Sequence, residues 1–133
     1  MPKTIIIQEA DTLISLDMAQ TIAEAWPDAS VVVCRDPAQV HKLLSQGCTP
    51  DAIILSQSLR HTRQDGLAQL ASKTGAMVLL TQADDDEDVT ITAARWHRLD
   101  MPFSSAQLRD VLLDGCPSLY AATENNCKAL GLG

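Results

Sequence analysis

Residues 50–56 read Pro50-Asp51-Ala52-Ile53-Ile54-Leu55-Ser56, with four consecutive apolar residues between polar neighbours. An uninterrupted apolar run of this length is typical of a strand that is buried on both faces of a parallel sheet. Two more runs share this character, Thr4-Ile5-Ile6-Ile7 before it and Met77-Val78-Leu79-Leu80 after it. We therefore predict three buried strands, and apolar segments at 29–33 and 95–99 predict two more.

Helical signals fill the segments between the predicted strands. The segment after the first strand carries apolar residues at near-helical spacing and ends at Pro27. Asp36 and Pro37 predict the cap and first residue of a second helix, which ends at Gly47. A short helix is predicted around 67–71 and a last one before residue 115, whereas 56–66 is interpreted as a polar connection. The acidic run 84–88 can begin a helix, because acids are favoured at the positive end of the helix dipole.

Strands that alternate with helices at this spacing predict a parallel sheet with helices on both faces and right-handed crossovers. The 133 residues are enough for one domain with a full core. We predict that this domain covers residues 1–117. Residues 118–133 form a tail, which is either a short helix or disordered.

Composition excludes several classes of function. The net charge of −7 and the scattered ten Lys and Arg residues oppose binding to nucleic acid. No apolar stretch approaches the length of a membrane span, and the first residues do not resemble a signal peptide, so we expect a cytoplasmic protein. The four cysteines form no CxxC pair, so neither zinc nor a disulfide framework is indicated. With no Gly-rich phosphate loop and no nucleophile-base set, we predict neither an enzyme nor a cofactor site.

Five local motifs resemble those of the receiver domains of two-component response regulators. They cover about Lys3 to Gly115 and lie in the family's order: Ile5–Ile14, Pro50–Ser56, Asp65–Leu67, Val78–Thr81 and Met101–Ser104. The resemblance implies a CheY-like, flavodoxin-like (βα)5 sandwich of three layers, with a five-stranded parallel sheet in the order 2-1-3-4-5. It also implies that the Met101-Pro102 peptide bond is cis.

The resemblance places the family's phosphorylation pocket on five positions of this chain. The two acids after the first strand become Glu9 and Ala10, and the phosphoacceptor aspartate becomes Ser56. The hydroxyl after the fourth strand becomes Thr81, and the lysine becomes Met101. Only Glu9 and Thr81 keep the family's chemistry. Because a hard cation needs anionic oxygen ligands, we predict no metal site here and no phosphorylation on aspartate.

Simpler interpretations of these positions stay open. Ser56 is either a phosphorylation site or a serine that caps a loop. Asp11 would replace the missing acid only if the strand shifted its register by one residue, which turns a side chain to the other face of the sheet. The acidic run 84–88 is either a cation or docking site or a solvated face.

The resemblance also implies an interaction face. The family uses the helix after its fourth strand, the fifth strand and the last helix for dimers and partners, which here means about Asp84 to Asp114. The face includes Asp84, Trp96, Arg98, Phe103 and Leu108, although Trp96 could equally be a core residue. We predict an atypical receiver that acts in two-component or phosphorelay signalling through protein contacts, including a homodimer, without aspartate phosphorylation. A phosphoacceptor that uses another residue, and a small α/β ligand-binding protein or enzyme, are the alternatives.

Overall fold

A computed structural model describes residues 3–89 and 95–115 of the chain. Its centre is a five-stranded parallel sheet in the order β2-β1-β3-β4-β5. The strands are β1 (Thr4–Gln8), β2 (Ser30–Cys34), β3 (Ala52–Leu55), β4 (Met77–Leu80) and β5 (Trp96–Arg98). The predicted α/β architecture and strand order are confirmed.

The helices are α1 (Thr12–Ala25), α2 (Pro37–Ser45), α3 (Leu59–Gln64), α4 (Leu67–Thr74) and α5 (Ser105–Gly115). Helix α1 begins where the Asp11 carboxylate accepts hydrogen bonds from the backbone N–H groups of Leu13 and Ile14. Helix α2 begins with a reciprocal capping box between Asp36 and Gln39. Helix α4 follows Gly66, whose positive φ of 81° favours glycine.

Alternate residues of the central strands enter two apolar clusters, one on each face of the sheet. Ile6, Ile53 and Leu55 pack with residues of α2 and α4 on one face. Ile5, Ile7 and Ile54 pack with residues of α1 and α5 on the other face. All residues of β3 and β4 are buried, which explains their uninterrupted apolar runs.

Helix α3 corrects the interpretation of 56–66 as a polar connection. It is only six residues long, so its apolar side is limited to Leu59, which is buried with Thr62. The Ser58 hydroxyl caps it by accepting from the N–H of His61. A helix of fewer than two turns offers too little periodicity for a sequence pattern to predict it.

Two further expectations about the backbone can be compared with the structure. The Met101-Pro102 bond is cis, as the resemblance implies. The acidic run forms a turn in which the N–H of Glu87 donates to the carbonyl of Asp84. Residues 90–94, where a helix begun by this run would continue, lie outside the described residues, and so does the predicted tail at 118–133. Within the described ranges, no helix is long and apolar enough to cross a bilayer.

Candidate functional site

Three of the five pocket positions follow neighbouring strands at one edge of the sheet. Backbone hydrogen bonds extend the sheet beyond the strand ends, since the N–H of Ser56 donates to the carbonyl of Gln8 at 3.1 Å. The N–H of Thr81 likewise donates to the carbonyl of Leu55 at 3.0 Å. Glu9, Ser56 and Thr81 are therefore the first residues after β1, β3 and β4, and these three strands lie side by side. The carboxyl ends of parallel strands are the usual place for a site in this class of fold.

Glu9 is the one acid of the predicted pocket, and it is buried, with 5% of its surface exposed. Its Oε1 atom accepts a hydrogen bond from the N–H of Asp11 at 3.0 Å. Its Oε2 atom is buried and has no hydrogen-bond partner among the described residues. Asp11 is exposed and occupied as the cap of α1, so it does not supply the missing acid.

Ala10 and Ser56 line an open cleft of about 640 Å³ above the sheet edge. The Ser56 hydroxyl makes no hydrogen bond to another described residue, so its expected role as a loop cap falls instead to Ser58. Thr81 is buried and does not line the cleft, and its hydroxyl donates to the carbonyl of Leu55 at 3.5 Å. Met101 is 39% exposed and does not line this cleft.

The residues at this edge do not fit the divalent cation that the family's pocket holds. Magnesium keeps several of its waters when it binds carboxylates, so its ligands must be reachable by a hydrated ion. Here the carboxylates expected from the family at positions 10 and 56 are replaced by a methyl and a hydroxyl group. The remaining free oxygen, Glu9 Oε2, is shielded from water. Within 3–89 and 95–115, no three His, Cys, Asp or Glu side chains form a group that could hold a metal ion.

Gln8 is a residue of the site that the sequence analysis missed. Its side chain is buried at the end of β1, where its Nε2 donates to the carbonyl of Arg35 at 3.1 Å. Its Oε1 accepts from the N–H of Ser56 at 3.0 Å. Gln8 thus joins the loops after β2 and β3. The sequence did contain a signal for this role, because a polar glutamine follows three isoleucines at the end of the strand.

Glu87 ties the loop after β4 to the start of α3. Its Oε1 accepts from the N–H groups of Leu59 and Asp84, both at 2.9 Å, and its Oε2 accepts from the N–H of Arg60 at 2.8 Å. One member of the acidic run is therefore neither a solvated residue nor part of a cation site. It caps a helix that lies earlier in the chain.

Arg98 holds the same loop from β5. Its guanidinium donates to the carbonyls of Ala83, Asp84 and Glu87 at 3.4, 3.1 and 2.9 Å. It also donates to the Asp100 carboxylate, at 2.7 Å from Nη2. These bonds occupy the guanidinium, so Arg98 is a loop anchor rather than an exposed contact residue.

The contacts of Glu87 predict a pH-dependent stability. Desolvation acts to raise the pKa of the Glu87 carboxyl, but the N–H donors of Asp84, Leu59 and Arg60 outweigh it and hold the pKa below its ordinary value of 4.5. A lowered pKa stabilises the fold above the unfolded-state pKa, and this contribution is lost as the pH falls through the folded-state pKa. We expect Glu87→Gln to lower the free energy of unfolding at pH 7 by about 1–2 kcal/mol.

Denaturant unfolding of wild type and Glu87→Gln between pH 7 and pH 3 measures this effect. The difference between the two proteins should be constant above pH 4.5 and should shrink below it. Asp86→Asn is the matched control, because it removes a neighbouring exposed carboxylate. Equal losses in both variants, or a difference that does not depend on pH, would contradict the capping role.

The predicted interaction face is corrected at Trp96 and Leu108, in addition to Arg98. Trp96 is 2% exposed and packs in the cluster on the α2 and α4 side of the sheet. Leu108 is 1% exposed and packs in the opposite cluster. Phe103 is partly buried against that same cluster. Trp96 and Leu108 are core residues, because a three-residue edge strand and an amphipathic helix must both turn their largest apolar side chains inward. Asp84 stays exposed.

Solved structures with the same architecture include response regulator receivers. A receiver protein from Sinorhizobium medicae is 18% identical, with a TM-score of 0.67 over 91% of this chain and 96% of its own. A receiver domain protein from Bacillus halodurans is 17% identical, with a TM-score of 0.69 over 86% and 97%. The signal receiver domain of an HD domain-containing protein from Pseudomonas fluorescens is 16% identical, with a TM-score of 0.68 over 92% and 93%.

No family model matches the sequence, and no curated protein matches it. The structural likeness shows the fold, which is that of the response regulator receiver domain.

Proposed function

We propose that this chain is a pseudo-receiver: a signalling domain, covering residues 1–117, that acts through protein contacts and does not accept a phosphoryl group on aspartate. The observation that carries the proposal is the chemistry of the strand ends. A neutral Ser56 follows β3 where the family has its acceptor, and Ala10 stands where a metal-binding acid is expected. Serine forms no acyl phosphate, and no base that would activate its hydroxyl bonds to it among the described residues.

The bonding of the loops supports a domain that keeps one shape. Glu87 and Arg98 together hold the loop after β4 through three N–H groups and three carbonyls. Charge-assisted hydrogen bonds of this kind are stronger than neutral ones. A switch needs an element with two arrangements of similar free energy, and these bonds favour one arrangement of the loop. The proposed pseudo-receiver therefore presents a constant surface to its partner.

We place this module in the cytoplasm, with a protein of a signalling pathway as its partner and without an enzymatic activity of its own. A homodimer through the predicted face between Asp84 and Asp114 remains part of the proposal. Since Trp96 and Leu108 are buried, such a contact would use the exposed residues of α5 and of the loop at Asp84.

Magnesium tests the proposed loss of receiver chemistry. A ligand that binds the native state raises its stability in proportion to occupancy. We expect millimolar magnesium to change the melting temperature of the wild-type chain no more than an equal ionic strength of sodium chloride does. The measurement is a thermal melt against magnesium concentration, repeated with Glu9→Gln. A saturable rise that is lost in Glu9→Gln would show that the pocket still holds a cation.

A further inference from the structure

The cleft above the sheet edge has a lining that differs from that of a cation site. It lies among the loops that follow β1, β2, β3 and β4, and its volume of about 640 Å³ is in the range of small-molecule sites. Residues of all four loops and of helix α3 line it. Three of the lining residues are basic: Arg35 from the loop after β2, and Arg60 and His61 from α3.

The basic groups of the cleft are available to a ligand. The side chains of Arg35 and His61 form no hydrogen bond or ion pair with another described residue. Arg60 Nη1 lies 3.6 Å from Asp84 Oδ2, with the two side chains 63% and 49% exposed. An ion pair this exposed contributes little to stability, so a ligand can compete for Arg60 at small cost.

The acids of the cleft are already engaged. Asp36 accepts a hydrogen bond from the N–H of Gln39 at 3.0 Å as the cap of α2. Asp84 faces Arg60. The uncharged groups without a side-chain hydrogen bond to a described residue are Ser56, Gln64 and Gln82, which can donate to or accept from hydroxyl groups.

We propose that this cleft binds a small phosphate ester that carries hydroxyl groups, such as a sugar phosphate, non-covalently and without a metal ion. Arginine is suited to this role because its planar guanidinium matches phosphate oxygens in a bidentate manner. The volume exceeds what inorganic phosphate needs, and the free amides and hydroxyl suit the remainder of the ester. Among the residues that the structure describes, no Phe, Tyr or Trp lines the cleft, so a stacked nucleobase is not favoured. Binding of this kind would let a metabolite act where the family uses a phosphoryl group.

Calorimetric titration in the presence of a chelator tests the proposal with three probes: glucose 6-phosphate, inorganic phosphate and glucose. We expect saturable binding of glucose 6-phosphate, weaker binding of phosphate and none of glucose. Arg35→Gln should weaken glucose 6-phosphate binding by about tenfold or more, as expected for the loss of a charge-assisted bidentate contact. Arg109→Gln is the matched control, because it removes an exposed arginine of α5 outside the cleft and should leave the affinity unchanged.

The proposal is overturned if no phosphate-bearing probe binds saturably, or if Arg35→Gln and Arg109→Gln weaken binding equally. Melting curves establish that both variants fold, and Arg60→Gln provides a second test within the cleft. The result is separable from the proposed pseudo-receiver function. The chelator removes the cation that receiver chemistry needs, and intact mass shows whether any probe has become covalently attached.

Discussion

Replacing Trp96 with alanine is expected to lower the free energy of unfolding by about 3–5 kcal/mol, the usual cost of removing a buried large aromatic side chain. Trp96 begins the three-residue strand β5 and packs in the same cluster as Val78, Leu80 and Val89. Without the indole, this cluster would contain a cavity at the edge of the sheet. Denaturant unfolding, with the change read from the midpoint at constant slope, measures the loss.

Trp96→Phe serves as the control, because it keeps an aromatic ring in the cluster and should cost less than the alanine variant. The experiment separates the two interpretations of this residue. If Trp96 is a core residue, Trp96→Ala lowers the free energy of unfolding. If Trp96→Ala instead unfolded like the wild type while changing the oligomeric state, Trp96 would belong to an interaction face.

The central strands could be predicted from the sequence because their burial is two-sided. Strands β3 and β4 coincide with the predicted apolar runs 52–55 and 77–80. Helix α2 was equally predictable, since Asp36 and Pro37 are adjacent and mark its cap and its first residue. These features depend on residues that are close in the chain, and a pattern of neighbours is sufficient to predict them.

The features that could not be predicted depend on contacts between distant residues. Glu87 caps α3 from 28 residues away, and Arg98 anchors a loop by binding carbonyl groups, which every residue carries. The residues next to Glu87 and Arg98 in the sequence do not indicate these hydrogen-bond partners. The sequence left Trp96 open between the core and the interaction face for a similar reason, because a short edge strand shows no alternation from which the buried side could be identified.

The pocket contains some features that could be predicted from the sequence and others that could not. Glu9, Ser56 and Thr81 lie at neighbouring strand ends as expected, because parallel strands end at the same edge. Met101 is outside the cleft, and the basic groups that do line it, Arg35 among them, were not singled out. Residues of four separate loops and of α3 meet there, so only the three-dimensional structure brings them together.

Restoring the family's residues is expected to restore its chemistry. In the triple variant Ala10→Asp, Ser56→Asp, Met101→Lys, two new carboxylates line the cleft, and a lysine stands at the position that the resemblance assigns to the family's lysine. We expect saturable magnesium binding, with a gain of about 1.4 kcal/mol in stability at ten times the dissociation constant. In chelator the variant should be less stable than in magnesium, because like charges repel. Single substitutions should do little, since the groups act as a unit.

A variant with the same charge changes away from the cleft is the control. Ala23→Asp and Ser72→Asp place the acids on exposed positions of α1 and α4, together with Met101→Lys. Thermal melts against magnesium concentration compare the two proteins. If the folded triple variant and the control respond alike, the loops have diverged from receiver geometry and the mapping of the five pocket positions is wrong.

The central claim is that the natural chain does not accept a phosphoryl group. Its most direct test is intact-mass spectrometry of the wild-type protein after incubation with acetyl phosphate and magnesium, beside the triple variant under the same conditions. We expect an unchanged mass for the wild type and an added phosphoryl group on the triple variant, at position 56. A phosphoryl adduct on the wild-type chain that forms with magnesium and disappears in chelator would contradict the pseudo-receiver account.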